Sequence, residues 1–403
     1  MPHRAEKIKL KTLIELFDER PLENVLAAEV FRPERVVFLA ADSTAQDKSL
    51  HARLRQYFAR RGMTPELIFL ECSRYNAAKI ERQLRRVAEL YPDCALDITG
   101  GTDAALFAAG LLCADTEIPV FTFSRRQGRF YDIRRAEFAE EQPRGLRYTP
   151  EDFFLMAGGS MREGRFDSGG LDAYMGRVEP FFALYMRHRR RWSDIVAYFQ
   201  RLSHAPAGEP APLDVRGAYT VKAERGSRVS ADEDALRELQ QLGFISGLRI
   251  ERGERVSFRF ADGNIRAWLR DAGSVLELYT YKQCLDSRLF DDVRISAVVD
   301  WDGSRGRDAI TNELDVTATH GICPVFISCK TCSVSTEAIN ELAVLRDRFG
   351  GKMACAAIVS TEKCSAAARH RAAELDITVI DLEDVRGGRI RTRLRAMVEA
   401  VKK

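Results

Sequence analysis

"NELDVTATHGICPVFISCKT", residues 312–331, is two apolar strands joined at His320-Gly321, with an acid on the first and a lysine closing the second. Alternation over "ELDVT" predicts Leu314 and Val316 on one face and Asp315, with Glu313, on the other. Over "PVFISCK" it groups Val325, Ile327 and Cys329, and turns Ser328 and Lys330 the opposite way. Two adjoining strands thus carry an acid, a hydroxyl and an amine towards one cleft. Working outward, a helix "IRAWLRDAGSVLELYTYKQC" and a strand "VRISAVVDWD" come before the pair. A helix "STEAINELAVLRDRF", a strand "KMACAAIVS" and a last α/β pair follow it. Helix, three strands, helix, strand predicts an α/β domain over residues 264–403. Asp300 and Asp302 read as turn residues in "VVDWDGS", and His320 as a turn residue before glycine.

Residues 1–149 repeat a different pattern. "RVVFLAA" (35–41), "ELIFLEC" (66–72), "ALDITG" (95–100) and "PVFTFS" (119–124) read as strands, with helical stretches such as "AAKIERQLRRVAELY" between them. Such repetition predicts a Rossmann-like parallel sheet covered on both faces, with ligands just beyond the carboxyl ends of its strands. Two loops fall there. One carries Ala41, Asp42, Ser43 and Thr44. The other carries Thr99, Gly100, Gly101, Thr102 and Asp103, where two glycines admit a close ligand and a helix begins with free N–H groups.

Residues 150–263 read as a helical and winged-helix-like connector. A Pro/Gly/Ala break, "HAPAGEPAPLD" (204–214), precedes a helix "DALRELQQLGFI" and a strand–turn–strand "LRIERGERVSFRF". A spacer packing two domains together and a nucleic-acid reader both fit. "MRHRRRW" (186–192) reads either as a basic groove with a stacking ring or as a solvated helix face.

The composition bounds these readings. A chain of 403 residues, 45% hydrophobic and 30% charged, is globular and long enough for two or three domains. Its net charge of +3 announces no nucleic-acid partner by itself. The amino-terminal stretch lacks the apolar run of a signal peptide, and no run approaches a membrane span. Nine scattered cysteines fit a reducing cytoplasm. Cys323, Cys329 and Cys332 with His320 lack the two spaced pairs of a zinc site.

"RPERVVFLAADST", then "LDITGGTDAALFAAGLL", and much later "NELDVTA…PVFISCKT" resemble a CRISPR-associated family. Its members join a CARF sensor domain to a PD-(D/E)xK nuclease, and are ancillary nucleases of type III systems activated by cyclic oligoadenylate. The resemblance implies a homodimer whose paired CARF domains bind the ring, most often cyclic tetra-adenylate. It also implies Mn²⁺ or Mg²⁺ as cofactor, with cleavage of single-stranded RNA and DNA and nicking of duplex DNA. Where this family's glycine loop often reads TGGTK, the chain has Asp103, and Lys48 is a candidate substitute.

A second departure is Ser328, standing where such nucleases place a carboxylate two residues before the lysine. Hard divalent ions take oxygen ligands, and one neutral hydroxyl does not replace an acid. Some restriction enzymes with an SxK variant borrow a glutamate from the next helix. Here that helix offers Glu337 and Glu341 on one face, with Glu341 preferred for its spacing. Glu277, set in the apolar run "SVLELYTY", is the other candidate, and the Cys329 carbonyl a further ligand. The expected catalytic set is Glu277, Asp315, Lys330 and Glu341. A transcription regulator with an inert nuclease domain, or an enzyme degrading the ring in its sensor pocket, are the alternatives.

Overall fold

The computed structural model describes residues 10–19, 21–125, 127–140, 146–164, 166, 171–204, 212–223, 226–251, 253–301 and 311–400. Asp302 and most of the Pro/Gly/Ala break lie outside them.

The first sheet contains β1 (Thr12–Leu16), β2 (Arg35–Ala40), β3 (Glu66–Glu71), β4 (Cys94–Asp97), β5 (Val120–Ser124) and β6 (Arg129–Arg134), in the order β3-β2-β1-β4-β5-β6. All neighbours are parallel except β5 and β6. The sequence reading starts this sheet at residue 35, but β1 lies at its centre, paired with both β2 and β4. "TLIEL" is buried at every position, so it has no alternation by which to be read as a strand. Helix α1 (Lys48–Arg60) covers one face through Leu54, Tyr57 and Phe58. Helices α2 (Ala77–Leu90) and α3 (Asp103–Asp115) cover the other through Ile80, Leu84 and Leu112.

Next come α4 (Pro150–Met156), β7 (Ser160–Glu163), α5 (Met175–His188) and α6 (Trp192–Leu202). Strand β8 (Asp214–Ala218) then joins the hairpin β11 (Ile245–Glu251) and β12 (Arg255–Phe260). Between them lie β9 (Thr220–Lys222), β10 (Arg228–Ser230) and α7 (Glu233–Gln241).

The second large sheet adds α8 (Ser274–Ser287), β13 (Asp292–Asp300), β14 (Thr311–His320), β15 (Cys323–Lys330), α9 (Thr336–Gly350), β16 (Cys355–Ser360), α10 (Ala366–Glu374), β17 (Ile377–Ile380) and α11 (Ile390–Ala400). Its order is β17-β16-β15-β14-β13-β7, so residues 160–163, expected in the connector, form its edge strand. Helices α8 and α11 pack on one face with Val316 and Ile327, and α9 and α10 on the other with Leu314 and Phe326. Phe181, Tyr185 and Trp192 share the α8 core, so that core is continuous through the expected boundary at 263. Among the described residues, no helix is long and apolar enough to cross a membrane.

Candidate functional site

Strands β14 and β15 pair from His320↔Cys323 up to Val316↔Ile327 and then part. Asp315 sits at the parting. Its Oδ2 accepts from the Cys329 N–H at 2.6 Å, the hydrogen bond the ladder no longer makes, and from Ser328 Oγ at 3.2 Å. Burial pushes its carboxyl above the usual aspartate range. The Cys329 N–H, the Lys330 charge and the Ser328 hydroxyl pull it back, and Glu313 pushes it up again.

The alternation expected around Asp315 is broken. Leu314 faces the α9 core and Val316 the α8 core, though both were expected on one face. The partner strand breaks with it: Ile295 faces α8, Ala297 faces α9, and Ser296 between them is left-handed, with φ of 52°. A left-handed residue turns the strand over without changing its register, since Ile295↔Val316 and Ala297↔Leu314 belong to one ladder. Asp315 therefore lies at a pivot and not on either face. Ser296 Oγ donates to Glu313 Oε1, fixing the carboxylate whose charge reaches Asp315.

Glu277 is the second buried acid near this point. It lies in the first turn of α8 and is 3% exposed. After burial, the charges of Asp315 and Glu277 both act on the Cys329 thiol and push it well above its usual range. The charges of the two acids thus reach the same residue of β15.

The first sheet has its own site. The strand order reverses between β1 and β4, and a pocket of about 250 Å³ opens there, lined by residues such as Asp18, Glu19, Ala41, Thr44, Arg74 and Thr102. Ser43 and Asp103 are exposed and outside its lining, and Lys48 is exposed on α1. For Asp42 only its place in a short helix is described. Thr99, expected to touch ligand, is structural: its N–H donates to Asp97 Oδ1 at 2.7 Å and its hydroxyl accepts from the Phe123 N–H at 2.7 Å. The glycines serve a neighbouring loop. A Cβ on Gly100 would stand 2.8 Å from Asp18 Cβ, and one on Gly101 2.7 Å from Leu16 Cβ. The Gly101 N–H donates to Asp18 Oδ2 at 3.0 Å, so it is not free for a ligand.

Residues 230–401 match the family model of the Card1-like endonuclease domain. Over these residues the chain is similar to Card1-like endonuclease domains. No curated protein matches the chain. Among solved structures, protein VC1899 from Vibrio cholerae superposes with a TM-score of 0.74 at 18% identity, over 97% of this chain and 99% of that one. Can2 from Sulfobacillus thermosulfidooxidans, solved in complex with cyclic tetra-adenylate, gives 0.67 at 17% identity over 98% of each chain. At such identities the likeness is one of fold, and it covers both sheets.

Within the Card1-like domain the expected trio of carboxylates is not gathered. Glu341 is exposed, and its Oε1 accepts from Asn312 Nδ2 at 2.7 Å. Asn312 is three positions before Asp315, about 10 Å along a strand. Among the described residues no three His, Cys, Asp or Glu side chains are grouped to hold a metal ion. The donors are the hard oxygens a divalent ion takes, but as arranged they do not fit one. Glu313, marginal in the sequence reading, is the acid whose charge reaches Asp315.

The basic run is also spent on structure. Arg187 and His188 pair with Glu238, Arg191 with Asp232, and Arg189 Nη1 donates to the Thr361 carbonyl at 2.6 Å. Trp192 is 2% exposed and offers no stacking face. The sequence missed Arg74, whose only signal was its place in the loop after a parallel strand.

Proposed function

We propose that the chain is a homodimeric endonuclease of type III CRISPR defence, switched on by cyclic oligoadenylate. It cuts single-stranded RNA and DNA and nicks duplex DNA in its Card1-like domain. Asp315 beside Ser328, the Cys329 N–H and Lys330, at the parting of two strands in that domain, is the observation that carries the reading. The pocket at the switch point of the first sheet, in a fold shared end to end with Can2, supports a sensor for the ring, with cyclic tetra-adenylate the first ligand to try.

Asp315, Lys330 and Glu277 are the proposed catalytic residues, in a Mn²⁺- or Mg²⁺-dependent reaction. Asp315 supplies the carboxylate, Lys330 the cation that lowers its pKa, and Glu277 the acid across Cys329. For the further acid, Glu313 is favoured over Glu341, because its charge acts on Asp315 whereas Glu341 is tied to Asn312. Because these acids do not fit a divalent ion as arranged, a ligand that brings them together would turn the site on, provided it binds that active arrangement more tightly.

The dimer is supported by α3. It is apolar on all sides, yet Leu106, Phe107 and Leu111 are 39%, 63% and 42% exposed.

The test is labelled single-stranded RNA and DNA and supercoiled plasmid, with Mn²⁺ or EDTA, with and without cyclic tetra-adenylate. Ring- and metal-dependent cutting is expected, with Lys330→Ala lowering it by about a hundredfold or more while ring binding persists. A wild-type protein that binds the ring and cuts none of these substrates would favour the regulator reading. Linear adenylates appearing from the ring would favour ring degradation.

A further inference from the structure

Among the described residues lining the sensor pocket, Arg74 alone is cationic. It follows β3, and its carbonyl accepts from Thr102 Oγ1 at 3.3 Å, which ties its loop to the start of α3. Its Nη2 lies 2.8 Å from Glu19 Oε1, and the two side chains are 51% and 83% exposed. Asp18, the pocket's other acid, is held firmly by the Gly101 N–H and by two hydrogen bonds between its own backbone and the Asn24 side chain. One acid is therefore part of the frame, and the other is a loose counter-ion to the pocket's cation.

We infer that Arg74 is the phosphodiester-binding cation of this pocket, and that Glu19 is its displaceable counter-ion. The inference rests on the proposed sensor function and adds to it the residue that replaces the cation missing at Asp103. An ion pair this exposed is weakly held, so an anionic ligand displaces it at little cost. A guanidinium then meets two phosphate oxygens with its paired donors, a geometry an ammonium does not offer. Tyr75, 82% exposed with the Arg74 guanidinium 5.9 Å from its ring centroid, stands ready to stack a base beside that phosphate. Glu19 also keeps the pocket electrically quiet towards smaller anions that make only one contact.

The experiment is fluorescence polarisation on the full chain with cyclic tri-, tetra- and hexa-adenylate and linear tetra-adenylate as probes. The variants are Arg74→Ala, Arg74→Lys, Glu19→Gln and the double variant R74A/E19Q, with thermal melts to confirm folding. Arg74→Ala weakens the best probe by about tenfold or more, the worth of a charge-assisted pair, and Arg74→Lys recovers only part of it. Glu19→Gln tightens binding by about twofold to fivefold, and that gain disappears in the double variant. Wild-type binding that Arg74→Ala leaves unchanged, or a Glu19→Gln effect that persists without Arg74, overturns this inference and leaves the sensor function standing. A wild-type chain that binds none of the four probes overturns both.

Discussion

At the scale of single residues, each large sheet holds carboxyl groups whose pKa burial has raised. Asp315 is held above its ordinary pKa, and Glu313 is one cause. Glu313→Gln removes that negative charge, so Asp315 ionises at lower pH. Cleavage falls, because Glu313 is itself the favoured further acid, and the acid limb of what remains moves down in pH; an unmoved limb would mean that Asp315 does not set it. Asp97 is pushed up to about 7 by burial, against the pull of the Thr99 hydroxyl and N–H and with a further push from Glu23. The folded chain therefore binds a proton that the unfolded chain has released, and stability falls as pH rises from about 4 towards 7. Asp97→Asn flattens that decline in urea titrations. It does not abolish it, because burial and the Asp97 charge raise Glu15 as well, and burial remains in the variant. Asp315 and Lys330 were visible in the sequence because an acid and a lysine stand out in apolar strands, although the face assigned to the neighbours of Asp315 did not hold. The pivot at Ser296 was not, since a left-handed serine looks like any other serine in a strand.

At the scale of elements, strands β13 to β16 could be read in order because each is a largely buried, apolar run long enough to stand out. Strand β1 was missed for the opposite reason: a short, wholly buried strand beside charged residues has neither alternation nor length. With β1 went the position of the switch point, and so Asp18, Glu19 and Arg74. Edge strand β7 was hidden too, and what fixes it is a glycine. A Cβ on Gly164 would stand 2.0 Å from the Ser296 carbonyl oxygen, a backbone atom that no side-chain rotation moves away. Gly164→Ala forces the backbone apart beside the pivot and costs about 1–3 kcal/mol, as overpacking does. Denaturant unfolding measures it, and an alanine tolerated without loss would show that β7 yields freely.

At the scale of the whole molecule, the proposed dimer would bury the exposed apolar surface of α3 between copies. Phe107→Asp puts a charge in the middle of it, and sedimentation velocity is expected to show a monomer where the wild-type chain sediments as a dimer. A variant still dimeric would move the interface elsewhere. The two sheets, meanwhile, are joined by more than chain connectivity. Consecutive residues of α4 belong to different cores, Phe153 to the first sheet's and Phe154 to the second's. Just before α4, the Tyr148 hydroxyl reaches buried Glu29 while its carbonyl accepts from Thr319 on β14, at 3.1 and 2.6 Å. Seven residues of helix thus act as a rivet through both halves. Neither half can melt without exposing a phenylalanine of the other, so calorimetry on the intact chain should record one cooperative peak where a beaded pair of domains would give two.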